Sequence, residues 1–263
     1  MSATEMSVRS ADFVQSLDRG LAVIRAFSRE RPRLTLSDVA RETGMTRAAA
    51  RRFLLTLEEL GYVGSDGRLF YLRPRVLELG FAYLSSATVT EVTQGHLEVL
   101  ADGLHESCSA SVLDSPDIVY VARAATNRIM TISLAVGARL PAYCTSMGRV
   151  LLAALDDTAL EEYLSTGAFV ALSERTLVEP DAIRAEIEVV RARGWALQDQ
   201  ELEAGVRSVA VPVHAADGQV IAAINVSAHA SRVSLDTLLE DFLPRLTSTA
   251  QLIDQDLAHG SIH

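Results

Sequence analysis

Arg47, Arg51 and Arg52 lie on one side of a segment with helical periodicity. The apolar residues of the same segment recur at intervals of three and four and therefore mark the opposite, buried side: Ala50, Phe53, Leu54, Leu57 and Leu60. Guanidinium groups bind guanine edges and phosphates, and the small Ala48 permits close approach to a base. The arrangement is typical of a DNA-recognition helix, and the alternative is an ordinary amphipathic helix with a solvated basic face.

A shorter helix is predicted directly before this one. Leu36 and Val39 fall at helical spacing, and Gly44 supplies the positive φ angle that a tight turn between two helices needs. The Thr46 hydroxyl is suited to cap the second helix. The two helices form a predicted helix-turn-helix over about residues 35–54, and its expected DNA contacts are Thr46, Arg47, Ala48, Arg51 and Arg52.

Two short runs of β-forming residues follow, with Asp66-Gly67 between them. This dipeptide predicts a hairpin, because both central turn residues can take a positive φ. A hairpin after a recognition helix is the wing of a winged helix-turn-helix domain, so we expect Arg68 at its tip to reach a phosphate or the minor groove. A first helix that begins near Gln15 completes the predicted domain, residues 13–73.

Net charge also divides the chain near the end of the predicted DNA-binding domain. The whole sequence has 24 basic and 34 acidic residues, a net charge of −10. Residues 1–75 contain 13 arginines against 9 acidic residues (+4), whereas residues 76–263 contain 11 against 25 (−14). Because salt screens charges beyond about 8–10 Å, an acidic second domain does not prevent DNA binding by the first.

Length and composition predict two domains, since 263 residues with 49% apolar side chains are ample for two cores. No apolar run approaches the roughly 20 residues that cross a bilayer, and the N-terminus lacks the apolar core of a signal peptide. A cytoplasmic protein without membrane contact is therefore expected. In that compartment Cys108 and Cys144 are expected to be buried thiols, not a disulfide.

Pro74 is well placed to begin a linker helix over residues 74–87. Its apolar residues lie on more than one face, which favours packing on the winged domain and on a partner subunit. The alternative is a helix that only caps the next domain.

From residue 88 to 258 helices and strands alternate. The predicted helices cover about 91–106, 146–155, 156–164, 180–193 and 235–257, and the predicted strands cover 108–113, 118–124, 129–134, 194–199, 206–214 and 219–227. Neighbouring antiparallel strands with helices outside indicate an α+β sensor-like domain, not a nucleotide-binding fold.

Residues 13–24, the helix-turn-helix and residues 194–212 together resemble the IclR family of bacterial transcriptional regulators, over nearly the full chain. Residues 136–153 resemble the branch that controls aromatic-acid catabolism, the β-ketoadipate pathway regulators responding to protocatechuate, 4-hydroxybenzoate or ring-cleavage products. The resemblance implies a winged DNA-binding domain, a GAF-like α/β effector-binding domain, and homodimers or dimers of dimers. Binding to double-stranded operator DNA would be modulated by a small carboxylate, and a non-aromatic metabolite is the alternative effector.

The loop-to-helix transition at Tyr143–Gly148 is the expected effector site. Backbone N–H groups and the helix dipole can hold a carboxylate there, although Ser146 can instead be only the helix cap. By resemblance, Ser146, Met147 and Gly148 line the effector pocket.

The resemblance also implies the facing positions, which are Gln198 or Asp199, Ser208, Asn225 and Ser227. Ser208 and Gln198 depart from the cysteine and aspartate of relatives that bind small oxo-acids, which leaves room for a larger ring acid. Asn225 and Ser227 share one face of a predicted strand and need polar partners. Asp199 and Glu201 share another face, and for them simple solvation is the alternative.

Catalytic alternatives have little support. Cys144 with a distant histidine (His96, His105, His214 or His229) would be a thiol nucleophile, and Cys108 with Cys144 would be a redox sensor. The sequence has no nucleophile elbow, phosphate loop or zinc-ligand spacing. We therefore expect no enzyme, no catalytic residues, no cofactor and no metal.

Overall fold

The computed structural model describes residues 12–28, 30–80, 88–125 and 134–260. The chain divides into two compact units, Met1–Tyr83 and Leu84–His263. The described part of each unit has its own hydrophobic core, in agreement with the two domains expected from length.

The first unit contains three helices and a small antiparallel sheet. Its elements are α1 (Gln15–Arg25), β1 (Arg33–Leu34), α2 (Leu36–Glu42), α3 (Arg47–Glu59), β2 (Val63–Ser65) and β3 (Phe70–Leu72). The strand order is β1-β3-β2. The predicted helices and hairpin are confirmed. β1 was not predicted, because a two-residue strand shows no alternation that a sequence pattern can reveal.

The turn between α2 and α3 forms as the sequence indicates. Gly44 has a φ of +63°, in the left-handed region that favours glycine. Thr46 caps α3, since its hydroxyl accepts a hydrogen bond from the Ala49 N–H at 3.2 Å. At the start of α2, Thr35 and Asp38 form a reciprocal capping box, and hydrogen bonds from Thr35 lower the pKa of the Asp38 carboxyl.

The predicted hairpin forms at Asp66-Gly67. Of the two residues that can take a positive φ, only Gly67 does so (93°). The loop is wider, and Asp66 holds it by accepting hydrogen bonds from the N–H groups of Leu69 (2.7 Å) and Arg68 (3.1 Å). These side-chain bonds replace the tight two-residue turn. They also lower the pKa of Asp66.

A helical segment begins at Pro74 with a 3₁₀ turn, Pro74–Val76, and remains helical to Gly80. Proline suits this first position because the missing N–H has no partner there in any case. The rest of the predicted linker helix, including Tyr83, lies outside the described residues.

The second unit contains a six-stranded sheet with helices on both faces. Its strands are β4 (Ser107–Asp114), β5 (Asp117–Ala124), β6 (Arg139–Pro141), β7 (Ala196–Asp199), β8 (Val206–His214) and β9 (Val220–His229). Its helices are α4 (Thr88–Leu104), α5 (Ser146–Ala153), α6 (Asp157–Thr166), α7 (Pro180–Arg193), α8 (Leu235–Thr237), a π-helical turn (Leu238–Phe242) and α9 (Leu243–Gly260).

The sheet order is β6-β5-β4-β9-β8-β7, with neighbouring strands antiparallel as predicted. Alternate residues face opposite layers. Cys108 and Ala110 pack in the core with α4 and α9, whereas Ile118 and Ala223 pack in the core with α5, α6 and α7.

Two details of the second unit depart from the predicted elements, and one predicted strand falls almost entirely outside the described residues. The strand predicted over residues 129–134 lies outside the described residues except for Leu134, which is in no strand, and the short β6 was not predicted. The closing helix is not uniformly α-helical. A π turn precedes Pro244, whose ring cannot donate the regular backbone hydrogen bond.

A candidate nucleic-acid interface and a candidate ligand cavity

The face of α3 predicted to read DNA is exposed. Ala50, Leu54 and Leu57 are buried on the other side of the helix. The exposed residues are Thr46, Arg47, Ala48, Arg51 and Arg52, joined by Arg68 at the end of the wing. Within the described part of the chain, none of these four arginines forms an ion pair. Their guanidinium groups are therefore available for phosphates and base edges.

A cavity of about 40 Å³ lies in the second unit, between the sheet and the start of α5. Its floor consists of polar side chains in two adjacent rows across the strands. The first row pairs in register across β7, β8, β9 and β4, through Gln198, Ser208, Ser227 and Ser107. The second row crosses β9, β4 and β5, through Asn225, Ser109 and Arg123. The predicted effector residues Ser208, Asn225 and Ser227 thus lie together on one floor.

The start of α5 forms another side of the cavity. Thr145 is the cap of this helix, because its hydroxyl accepts from the Gly148 N–H at 3.1 Å. Ser146 is therefore free of the capping role, and its hydroxyl is 2.8 Å from the Ser208 hydroxyl. The alternative that Ser146 serves only as a cap was wrong.

Met147 and Gly148 lie behind the helix start and not among the described lining residues. The hydroxyl of Ser111 donates to the sulfur of Met147 at 3.4 Å. A Cβ atom on Gly148 would be 2.2 Å from the carbonyl oxygen of Ala142. Both residues therefore fix the position of α5, and only glycine fits at residue 148.

Of the two alternatives on β7, the cavity contains Gln198 and not Asp199. The amide oxygen of Gln198 accepts from the N–H groups of Glu201 (2.6 Å) and Leu202 (2.9 Å). Its NH₂ group then points at the Ser208 hydroxyl, 3.4 Å away. Asp199 faces the other side of the strand, where it forms ion pairs with Arg207 (2.9 Å) and Arg175 (2.5 Å).

Sequence reasoning missed the two charged lining residues, Arg123 and Glu203. Asn225 Oδ1, Glu203 Oε2 and Arg123 Nε are buried and have no hydrogen-bond partner among the described residues. Each such atom costs about 1–3 kcal/mol unless a ligand or water completes it. The only hint in the sequence was an arginine inside the otherwise apolar run Ile118–Ala124.

A buried ion pair stands behind the cavity. The Arg149 side chain, 2% exposed, binds Glu201 through both guanidinium arms, with one N–O distance of 2.8 Å. Arg149 Nε also donates to the Tyr143 carbonyl at 2.9 Å. This pair ties the loop before α5 to the loop after β7, which contributes to the cavity wall. The alternative that Glu201 is simply solvated was wrong.

Both cysteine thiols are held in their protonated, unreactive form. Burial raises the pKa of Cys108 and of Cys144 to about 12. Their hydrogen bonds go to backbone carbonyls, those of Glu106 and Pro141. A thiol in that state is a poor nucleophile, because the thiolate is the reactive form.

We therefore expect the thiols of the folded protein to react with an aromatic disulfide reagent at pH 8 only at the slow rate at which the fold opens and exposes them. Both thiols should react promptly in denaturant, which serves as the control, because unfolding removes the burial that raises their pKa. A fast reaction of one thiol at pH 8 in the folded protein would instead support a nucleophile or redox sensor.

Two further features bear on function. No helix among the described residues is both long and apolar enough to cross a membrane. The same residues contain no group of three or more His, Cys, Asp or Glu side chains arranged to hold a metal ion.

Comparison with family models matches both units. Residues 16–67 match the IclR helix-turn-helix domain, and residues 81–255 match the C-terminal domain of the bacterial transcriptional regulator IclR. The chain is 50% identical over 249 residues to the Pca regulon regulatory protein of Pseudomonas putida, covering 94% of this chain and 84% of that protein.

Two other proteins extend the comparison. The p-hydroxybenzoate hydroxylase transcriptional activator of Acinetobacter baylyi is 36% identical, with 92% of each chain covered. Among solved structures, a putative transcriptional regulator from Rhodococcus sp. RHA1 superposes with a TM-score of 0.85 at 56% identity, covering 94% of this chain and 99% of that one.

Proposed function

The chain belongs to the IclR family of bacterial transcriptional regulators, and from this premise we propose that it controls genes for aromatic-acid breakdown in response to a small organic acid. One relative is a Pca regulon regulatory protein, and another is an activator for p-hydroxybenzoate hydroxylase. The proposal places the protein in the cytoplasm, where the family's helix-turn-helix domain meets operator DNA.

The cavity in the second unit is the proposed effector site. The observation that carries this assignment is the set of buried polar atoms of Asn225, Glu203 and Arg123, which find no partner among the described residues. A carboxylic acid with further polar groups supplies such partners. Ser146 at the first turn of α5 adds the positive end of the helix dipole, which favours an anion. The proposed contacts include Ser146, Ser208, Asn225 and Ser227.

Binding of a ring acid requires the cavity to widen. A cavity that holds a benzene ring measures about 150 Å³, whereas this one measures about 40 Å³. A ligand that fits only the wider form has different affinities for the two forms, and only such a difference shifts an equilibrium. We expect the coupling to DNA binding to be about 1–3 kcal/mol.

Asn225→Leu is expected to abolish the effector response and leave operator affinity unchanged. The substitution removes both polar atoms from the cavity floor, and Asn225 lies in the other unit from the arginines of α3. Calorimetry with protocatechuate, 4-hydroxybenzoate and β-ketoadipate measures the response, and Asp217→Asn in an exposed turn is the control. Absence of heat from all three acids with the wild-type, operator-binding protein would remove the aromatic assignment and retain the family.

We also propose that the protein is a homodimer or a dimer of dimers. An apolar groove in the first unit is lined by residues of α1 and α3, by Leu60 and Tyr62 after α3, and by Leu79, and it leaves large side chains exposed. Leu17, Leu60 and Leu79 are 64%, 50% and 48% exposed. Apolar surface of this kind is typical of a protein contact, and a two-fold protein suits a repeated DNA half-site.

Leu79→Glu is expected to shift the oligomer towards smaller species, because it places an unpaired charge at the edge of the groove. Light scattering coupled to size exclusion measures the mass. Val189→Glu is the matched control, since Val189 is 46% exposed on α7, outside the groove. An unchanged mass for Leu79→Glu would show that the interface is elsewhere.

A further inference from the structure

We propose that Gln94 transmits effector binding from the cavity to α4, the helix that follows the junction between the two units in the chain. This inference rests on the proposed function and names the regulation of its site. The first unit ends at Tyr83, and α4 begins at Thr88. Because the chain is continuous, a displacement of the N-terminal end of α4 also displaces the attached junction.

The side-chain amide of Gln94 pairs with the backbone of Arg123 as a neighbouring strand would. Its oxygen accepts from the Arg123 N–H (3.1 Å), and its NH₂ group donates to the Arg123 carbonyl (3.3 Å). These are the two bonds that an antiparallel partner exchanges. Among the described residues, β6 pairs with β5 at Asp117–Val119, so the Gln94 amide takes the place of a strand further along β5. The second N–H of the amide donates to Glu98 at 2.7 Å and fixes its direction.

Arg123 contacts α4 through its backbone and the cavity through its side chain. One guanidinium arm donates to the Leu134 carbonyl, and Arg123 Nε is buried without a partner among the described residues. A guanidinium group forms strong hydrogen bonds with a carboxylate, so an acid in the cavity attracts this side chain. Since the cavity must widen to admit a ring acid, binding displaces the end of β5, and the two hydrogen bonds pass this displacement to Gln94.

The two halves of α4 are held differently. The C-terminal half is anchored in the core with α9 by four buried side chains, Leu97, Leu100, Ala101 and Leu104. In the N-terminal half, which includes Gln94, the hydroxyls of Thr90 and Thr93 are buried without a hydrogen-bond partner among the described residues. Val89 and Val92 are only partly buried there. A segment with fewer close apolar contacts moves at lower cost, so the N-terminal half is the part of α4 that Gln94 shifts.

The factor by which an acid changes operator affinity tests this proposal, because it measures coupling separately from binding. Fluorescence anisotropy on the full-length chain gives the operator Kd with and without saturating 4-hydroxybenzoate, protocatechuate or β-ketoadipate. For the wild-type protein we expect a factor of about 5- to 150-fold with the active acid. Gln94→Met keeps the helix propensity of the residue and removes both bonds to Arg123, so the factor should fall to about 2-fold or less.

Two further variants and one further measurement complete the design. Calorimetry should show that Gln94→Met still binds the acid, because its cavity is unchanged. Gln94→Glu keeps an oxygen that accepts from the Arg123 N–H and loses the bond to the carbonyl, so its factor should be intermediate. Gln255→Met, on the exposed side of α9, is the matched control and should keep the wild-type factor. A purely structural role of Gln94 would lower stability without changing this factor.

The outcomes separate the coupling from the function it rests on. A wild-type factor in a folded, acid-binding Gln94→Met variant overturns the role of Gln94 and leaves the effector site in place. An equal loss in Gln255→Met overturns it as well, because the loss would then not depend on the contact with Arg123. If Gln94→Met does not fold, a wild-type factor in Gln94→Glu has the same meaning. If none of the three acids binds the wild-type protein, the proposed effector class fails, and the coupling fails with it.

Discussion

Simultaneous replacement of Arg47, Arg51 and Arg52 by alanine is expected to abolish specific operator binding. Each arginine that reads a base contributes about 1–3 kcal/mol, so the loss of all three, about 3–9 kcal/mol, is comparable to the margin of about 4–10 kcal/mol by which regulators prefer specific sites to random DNA. The fold should persist, because the three side chains are exposed and alanine is the best helix former. Fluorescence anisotropy with an operator duplex measures the affinity.

Single substitutions distinguish the roles of the arginines. Loss of a base-reading arginine relaxes specificity at one position, whereas loss of a phosphate contact weakens all sequences alike and lowers the salt slope by about 0.9 per contact. Arg245→Ala is the control, since this exposed arginine lies on α9 in the other unit. Normal operator binding by the folded triple variant would show that α3 is not the recognition helix.

Arg149→Met is expected to destabilise the second unit by about 3–5 kcal/mol, because it leaves the buried Glu201 carboxylate without its partner. The side chains of the pair are 2% and 12% exposed, so water cannot replace the lost guanidinium. Urea unfolding followed by the fluorescence of Trp195 measures the change. Trp195 is the one tryptophan of the sequence and lies in this unit, next to β7.

Two further variants test whether the cost comes from an unpaired buried charge. Arg184→Met breaks the exposed pair with Glu161, whose side chains are 37% and 62% exposed, and should cost at most about 1 kcal/mol. The double variant Arg149→Met/Glu201→Met should recover much of the loss, because no unpaired charge remains. A cost of less than about 1 kcal/mol for Arg149→Met alone would mean that the pair contributes no more than a surface pair.

The DNA-binding unit was largely predictable because its signals are local. Apolar spacing, Gly44 and the Thr46 cap each act within one or two helical turns, and the structure has all three. The hairpin of the wing was predicted but the width of its loop was not, since the hydrogen bonds of the Asp66 side chain compete with the tight turn that Asp-Gly usually favours.

The cavity was only partly predictable, because its members meet through strand register. The family resemblance pointed to Asn225 and Ser227, and their spacing placed both on one face of a strand. Arg123 joins them only because Ser109 pairs with both Arg123 and Asn225, and a sequence pattern on one strand carries no such pairing. Likewise, no local signal showed that Glu201 turns inward to Arg149, 52 residues earlier.

The alternation of the sheet has a practical consequence for changing what the protein senses. Ser109 and Asn225 on the cavity floor alternate along their strands with Cys108, Ala110 and Val226, which pack in the core with α4 and α9. Recognition and structural support thus occupy opposite sides of the same strands. A saturation library restricted to the floor positions should therefore contain many well-folded members with altered ligand preference. The second unit is therefore a suitable starting point for the construction of new biosensors.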